Sequence, residues 1–279
     1  MTPLAKSILA GIFLLAVGAV PVSRILIAWR RHELTLIQWF FWWIAFFLVR
    51  FRWRCQGPRQ VTIPDDGRGT IIICNHRSSI DPFFLQILPR RALIRWMVAK
   101  EYVQHPWFGF FLKRCNVIPV NRGGVDNAAT REAIAHAQQG GIIGMFPEGR
   151  INTTDQLLTS VRPGAILVAL RSGARILPAY IKGSPYGGSP ASPLFMSTHS
   201  EVRLGEMIDL KEYESQVRDP MVVRELLLRC VGEIAKLAGH PEFVPEVAGR
   251  KWRDRNSEPG EGASDQEGES AGENDTESI

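Results

Sequence analysis

The sequence predicts an α/β fold, a mostly buried β-sheet flanked by helices, behind two apolar N-terminal helices. Three observations lead there. Short β-rich runs alternate with helix-like stretches through the middle of the chain, the pattern of a layered α/β domain. The 279 residues are 45% apolar, enough for a proper core. Two strongly apolar segments, the second rich in tryptophan, fill much of the first fifty positions.

Residues 8–22 form the first apolar segment and residues 34–49, LTLIQWFFWWIAFFLV, the second. As helices each is about 24 Å long, short of a hydrocarbon core of about 30 Å. Arg30 and Arg31 precede the second segment, and Arg50, Arg52 and Arg54 follow it. A spanning helix carries its positive flank mainly on one side. Trp39, Trp42, Trp43 and Trp53 suit the headgroup layer. These features favour a two-helix anchor dipping into one leaflet, its basic side chains on anionic headgroups. One genuine span extended through Ile27 is an alternative, as is a signal peptide cleaved near Ala16-Val17-Gly18.

Strands are expected at 70–74 (TIIIC), 95–98 (RWMV), 117–120 (VIPV), 141–146 (GIIGMF), 176–181 (ILPAYI) and 201–204 (EVRL). Between them come helices. Residues 82–88 follow Asp81, a good N-cap, with Pro82 in the first turn. Residues 106–114 are apolar and aromatic; Trp107, Phe108, Phe110 and Phe111 fit core packing better than a channel wall. Residues 125–139 stop at Gly140-Gly141, and 164–171 stop before Ser172-Gly173. Residues 220–237 place Val223, Leu226, Leu227, Val231, Ile234 and Leu237 near a helical period.

Cys55, Cys74, Cys115 and Cys230 are scattered, which excludes zinc ribbons and redox pairs and reads as reduced, mostly buried thiols. The net charge of +5 hides an asymmetry. Residues 256–279 carry eight acidic residues and no Lys or Arg; without them 33 basic residues face 20 acidic, a net of +13. A body that basic expects an anionic partner. The polar tail cannot offset its ordering entropy and is expected to be disordered. The division is therefore 1–54 anchor, 55–248 catalytic domain and 249–279 tail.

Chemistry gathers where the strands end. Asn75-His76-Arg77-Ser78-Ser79-Ile80-Asp81 follows the most apolar strand. Histidine is the usual general base near neutral pH, and a carboxylate fixes its tautomer and stabilises the imidazolium. On a continuous helix residues five apart lie about 140° apart, so the pair needs a turn between them. On residues alone, Asp81 is equally a helix cap and His76 a satisfied loop histidine. Lys100, Arg122 (closing VIPVNR) and Arg150 (closing FPEGR) each lie past a strand, with Arg162 downstream. Such positions converge on one crevice in an α/β sheet and would make a phosphate site. Glu148, between Pro147 and Gly149, would hold a basic residue or a substrate hydroxyl. No His or carboxylate cluster has metal-ligand spacing, no G-x-S-x-G elbow is present, and no nucleic-acid motif appears.

These blocks resemble the membrane-bound glycerolipid acyltransferases, specifically the bacterial lysophosphatidic acid acyltransferases. NHRSSID looks like their first block, the stretch ending VIPVNR their second, FPEGR their third and LPAYI their fourth. The resemblance implies His76 and Asp81 as catalytic pair and Arg122 as phosphate ligand, with Lys100, Glu148, Gly149 and Arg150 completing the substrate site. The commoner third block has another residue between its Gly and Arg; here Arg150 follows Gly149 directly, closer to a branch acting on lysophospholipids with bulkier headgroups.

The implied reaction moves a fatty acyl group from acyl-CoA or an acyl carrier protein to the hydroxyl of lysophosphatidic acid. It needs no cofactor and no metal. The implied partners are the phospholipid membrane, the lysophospholipid and the thioester donor, without nucleic acid, and the implied location is the cytoplasmic face of the inner membrane. Another acceptor (a lysophosphatidylethanolamine-type lipid, glycerol 3-phosphate or an amino-acid lipid) and a non-catalytic lipid-binding protein are the alternatives. Cys74, beside Asn75, is expected to be core rather than nucleophile.

Overall fold

The structure, a computed structural model, describes residues 34–89, 92–106, 108–121 and 127–248. The first apolar segment, Trp107, Arg122 and the acidic tail lie outside the described residues.

Thr35 opens helix α1 (Leu36–Phe47) with a capping box: its hydroxyl accepts from the Gln38 N–H, and the Gln38 side chain accepts from the Thr35 N–H. A π-helical turn, Leu48–Arg52, continues it. The second apolar segment is therefore a helix of 12 residues plus one turn. Among the described residues no helix is long and apolar enough to cross a membrane. Trp42, Ala45, Val49 and Trp53 are buried against the body of the protein. Leu36, Phe40, Trp43, Ile44, Phe47 and Phe51 stay exposed.

Six strands follow: β1 (Thr70–Cys74), β2 (Ile94–Ala99), β3 (Ile118–Val120), β4 (Ile142–Met145), β5 (Arg175–Lys182) and β6 (Glu201–Leu204). They form one sheet in the order β3-β2-β4-β1-β5-β6, parallel except for the antiparallel edge strand β6. Helices α2 (Asp81–Gln86), α3 (Lys100–Gln104), α4 (Phe108–Arg114), α5 (Asn127–Gln138), α6 (Gly164–Ser172), α7 (Ser192–Phe195) and α8 (Pro220–Ala238) connect or cover them.

β1 is buried along its whole length because both its faces are covered. Ile71 and Ile73 join a core with α5, α6 and α8, while Ile72 and Cys74 join a second core with Phe84, Leu85, Val49 and Trp53. Helix α8 buries Val223, Leu226, Leu227, Val231 and Ile234, as the periodicity predicts, whereas Leu237, also expected there, is only half-buried near the helix end. It starts at Pro220 behind Asp219, whose carboxylate accepts from the Met221 N–H at 2.8 Å, and ends at a left-handed Gly239.

Each predicted strand is present, with both ends within one residue of the expected bounds. Three expectations are corrected. Helix α2 begins at Asp81, and its N-cap, Ile80, makes no side-chain bond: the Asp81 carboxylate turns back toward the preceding loop instead of capping. Helix α3 was not foreseen, being only five residues long behind Ala99, which makes no side-chain cap. Core packing of the 108–111 aromatics is not met among the described residues: Phe111 packs edge-on to Phe41 and Phe83 but is only half-buried, and Phe110 is 55% exposed.

Candidate active site

β1 ends beneath Asn75, which ties the strand to its neighbour. The Asn75 side chain accepts from the Ile181 N–H at 2.8 Å and donates to the Ile181 carbonyl at 2.9 Å, completing the β1–β5 ladder past Cys74. His76 is next, on an irregular loop. The turn that a His–Asp pair requires is present: the Asp81 N–H bonds the Ser78 carbonyl, bringing residue 81 back to residue 76. His76 Nδ1 then lies 3.0 Å from Asp81 Oδ2.

Asp81 is fully buried, and both its oxygens act as acceptors. Oδ2 also takes the backbone N–H groups of Arg77 (2.7 Å) and Ser78 (2.8 Å), and Oδ1 takes the Ser184 hydroxyl. A buried carboxylate needs such donors to be tolerated at all. The His76 side chain is 15% exposed, so it is reachable while its partner is not. With Nδ1 turned to the carboxylate, Nε2 is the nitrogen left to take a proton.

The ring is also held flat. His76 stacks on Phe146 with centroids 3.8 Å apart and planes 9° apart, and Phe146 stacks on Trp96 at 4.9 Å. Gly144 makes room for this: a Cβ there would come within 2.5 Å of the Trp96 ring.

Glu148 sits in the tight turn after β4, followed by Gly149 at φ +68, where a side chain would be strained. Its Oε1 accepts from the His76 N–H at 2.8 Å, and its Oε2 accepts from Thr159 N–H and Oγ1 at 2.8 and 2.9 Å. It is 2% exposed. Both Glu148 oxygens accept from these donors and hold the His76 loop to residue 159. The His76 carbonyl accepts from the Asn152 N–H at 2.7 Å, so the loop is pinned from both sides. Arg77 spans the same junction, donating to the Asn152, Thr154 and Gln156 carbonyls.

The sheet order sets the carboxyl ends of β2, β4, β1 and β5 side by side. Lys100, first residue of α3, is exposed past β2; Arg150 is exposed past β4; Arg162 is exposed with its side chain over Gly149. Arg122 lies outside the described residues. Among the described residues no three His, Cys, Asp or Glu side chains gather as a metal site. Cys74 is fully buried, and burial pushes its thiol well above the ordinary range, against a nucleophilic role.

Ser184 and Phe146 escaped the reading of the sequence. The available signal was positional: each lies just past a strand that neighbours β1, Phe146 after β4 and Ser184 after β5.

A buried carboxylate orienting a reachable histidine at the carboxyl edge of a parallel sheet is an arrangement for drawing a proton from a nucleophile. The comparisons define the class. Residues 52–182 match the family model described as Acyltransferase. A 1-acyl-sn-glycerol-3-phosphate acyltransferase of Bacillus subtilis (strain 168) is 29% identical over 151 residues, covering 54% of this chain and 72% of that protein. One from Streptococcus pneumoniae (strain ATCC BAA-255 / R6) is 24% identical over 149 residues, covering 52% of this chain and 54% of that protein. The solved 1-acyl-sn-glycerophosphate (LPA) acyltransferase, PlsC, from Thermotoga maritima aligns with a TM-score of 0.44 at 22% identity, over 62% of this chain and 71% of that one. The chain is an O-acyltransferase. Its likeness to the Acyltransferase family lies in residues 52–182, a little under half of the chain.

Proposed function

We propose that the chain transfers a fatty acyl group from acyl-CoA or an acyl carrier protein to the free hydroxyl of lysophosphatidic acid, giving phosphatidic acid in phospholipid biosynthesis. The observation that carries this is His76 held at 3.0 Å by the fully buried Asp81. The names of the two curated relatives support the acceptor.

In this reading His76 Nε2 takes the acceptor's hydroxyl proton, and Asp81 stabilises the imidazolium that forms. The oxygen attacks the thioester carbonyl, the C–S bond breaks, and the thiolate leaves with the proton from His76. No covalent enzyme intermediate and no cofactor is required. Lys100, Arg122 and Arg150 bind the acceptor phosphate, as charge and their places past the strands favour. Gly149, which a side chain would strain, lets the chain turn between Glu148 and Arg150. The enzyme works at the cytoplasmic face of the inner membrane, residues 1–54 anchoring a catalytic domain over 55–248. The exposed apolar side chains of α1 support that placement.

The test is acyl transfer by purified wild type and His76→Ala in membranes, with labelled acyl-CoA or acyl carrier protein and a panel of lysophospholipids. Transfer to lysophosphatidic acid, reduced about 10²–10⁴-fold in the variant, is expected. Transfer only to an acceptor with a larger headgroup would move the acceptor, the direction in which the direct Gly149-Arg150 spacing points. Full activity of His76→Ala would remove the base assignment. No transfer to any acceptor from either donor would leave a lipid-binding protein.

A further inference from the structure

The exposed side chains of α1 and its π-helical extension fall on one stripe. Leu36, Phe40, Trp43, Ile44, Phe47 and Phe51 recur at helical spacing and are 37–67% exposed. A helix packed on a soluble body turns polar residues outward, so this stripe is the inverse of the usual pattern. Two parts of the catalytic domain, far away in sequence, extend it.

At one end the segment carrying Phe195 runs along residues 47–56. Trp53 Nε1 donates to the Pro193 carbonyl at 3.1 Å, and the Arg52 guanidinium donates to the Phe195 carbonyl. Arg54 Nη1 lies 3.2 Å from His199 Nε2, and the Ser200 N–H bonds the Trp53 carbonyl. The backbone of α7 is thus clamped to Arg52 and Trp53 at the end of the stripe, yet Phe195 is 78% exposed. At the other end Gln38 of α1 donates to the Arg114 carbonyl of α4 at 2.9 Å, and Phe41 packs on Phe111. There Phe110 is 55% exposed, with the Arg114 guanidinium 5.1 Å from its ring centre. Each outlying phenylalanine therefore comes with an arginine.

We propose that Phe195 and Phe110 are lipid contacts of the catalytic domain itself, seated in an anionic headgroup layer beside the α1 stripe. Exposed aromatics beside Arg52 and Arg114, on a body of net charge +13, complement a negatively charged bilayer surface. A water-facing loop has no use for a phenylalanine that is 78% exposed and held from behind by Arg52 and Trp53. The surface reaches the site directly. Ser79, inside the turn between His76 and Asp81, donates to the Pro190 carbonyl at 2.6 Å, two residues before α7. Seating Phe195 in lipid thus sets the height of the catalytic turn above the headgroups.

The proposal rests on the lipid-surface reading of α1 given above, and the experiment separates the two. Full-length Phe195→Cys, Phe110→Cys and Phe51→Cys are labelled with an environment-sensitive fluorophore. Cys55, Cys74 and Cys230 are buried and Cys115 is raised to about 12 by burial, so the introduced thiol reacts first. Vesicles of phosphatidylglycerol with phosphatidylethanolamine, or of phosphatidylcholine alone, are then added. Expected is a blue shift at 195, 110 and 51, quenched by spin-labelled lipid, with anionic vesicles. Phe195→Ser combined with Phe110→Ser should weaken vesicle binding about tenfold while leaving the secondary structure intact. A label at 51 that enters lipid while those at 195 and 110 stay in water would overturn the proposal and spare the α1 reading. All three staying in water would overturn both. Equal insertion into phosphatidylcholine would overturn the anionic partner. Acyl transfer to a short-chain, water-soluble lysophosphatidate reports separately on the chemistry.

Discussion

The His76 imidazole lies face to face on Phe146, 3.8 Å between centroids and 9° between planes. Asp81 fixes one edge of the imidazole; Phe146 fixes its plane. A general base must meet its proton along a narrow line, and a displacement of about 1 Å costs on the order of a hundredfold. Phe146→Ala should therefore lower kcat about 10–100-fold with little change in KM. Phe146→Tyr, which keeps the ring, should retain most activity. Steady-state kinetics of both variants, with circular dichroism to show the fold intact, check this.

Ser184 acts through Asp81. Its hydroxyl donates to Oδ1, the oxygen that does not face His76. Ser184→Ala leaves a fully buried carboxylate oxygen one donor short, a cost of about 1–3 kcal/mol. The carboxylate is then free to rotate away from the imidazole. The expected outcome is a fall in kcat of about tenfold with KM unchanged, and recovery in Ser184→Thr. A merely structural hydroxyl would lower the melting temperature without separating kcat from KM.

These two residues mark where the sequence stopped being readable. Apolar runs and Gly or Pro punctuation located the strands because burial on both faces demands continuous Ile, Val and Leu. The His76–Asp81 pair was legible because its partners are five residues apart and Pro82 follows the turn. Ser184 is 103 residues from Asp81, and Glu148 is 72 from His76. Those contacts exist because β1 lies between β4 and β5, a strand order that no local pattern encodes. The loop-holding partners of Glu148 were hidden for the same reason. A carboxylate beside a glycine turn looks poised for ligand alone, and only the fold shows that Thr159 and the His76 N–H also bond it. Short helices such as α3 and α7 carry too few residues for a period to show.

Two ion pairs near the amino ends of β1 and β5 should shape the acid limb of stability. Arg175 holds the Asp66 carboxyl down, from 3.8 to about 2, while Arg68 bonds Asp209 with both Nη atoms at 2.6 and 2.7 Å and holds it below its ordinary range. Because the folded value lies below the unfolded one, the stabilisation is complete above about pH 4 and is lost as pH falls toward about 2. Asp66 is 42% exposed on its side chain, so salt should screen much of the effect. Thermal melts between about pH 5 and pH 2 in low salt should fall less steeply for Asp66→Asn than for wild type.

Glu148 offers the sharpest separation between holding a loop and holding a substrate. Its two oxygens serve three donors, the His76 N–H, the Thr159 N–H and the Thr159 hydroxyl. A glutamine has one oxygen and an NH2, so in Glu148→Gln one backbone N–H must face a second donor in a site closed to water. That costs about 1–3 kcal/mol and lets the His76 loop part from either β4 or residue 159. The expected result is a lower melting temperature together with a fall in kcat, while KM for the lysophospholipid stays near that of wild type. Thr159→Val removes the hydroxyl but keeps the N–H, and should show a smaller version of both effects. A rise in KM without a stability change would mean that the carboxylate reaches the acceptor after all.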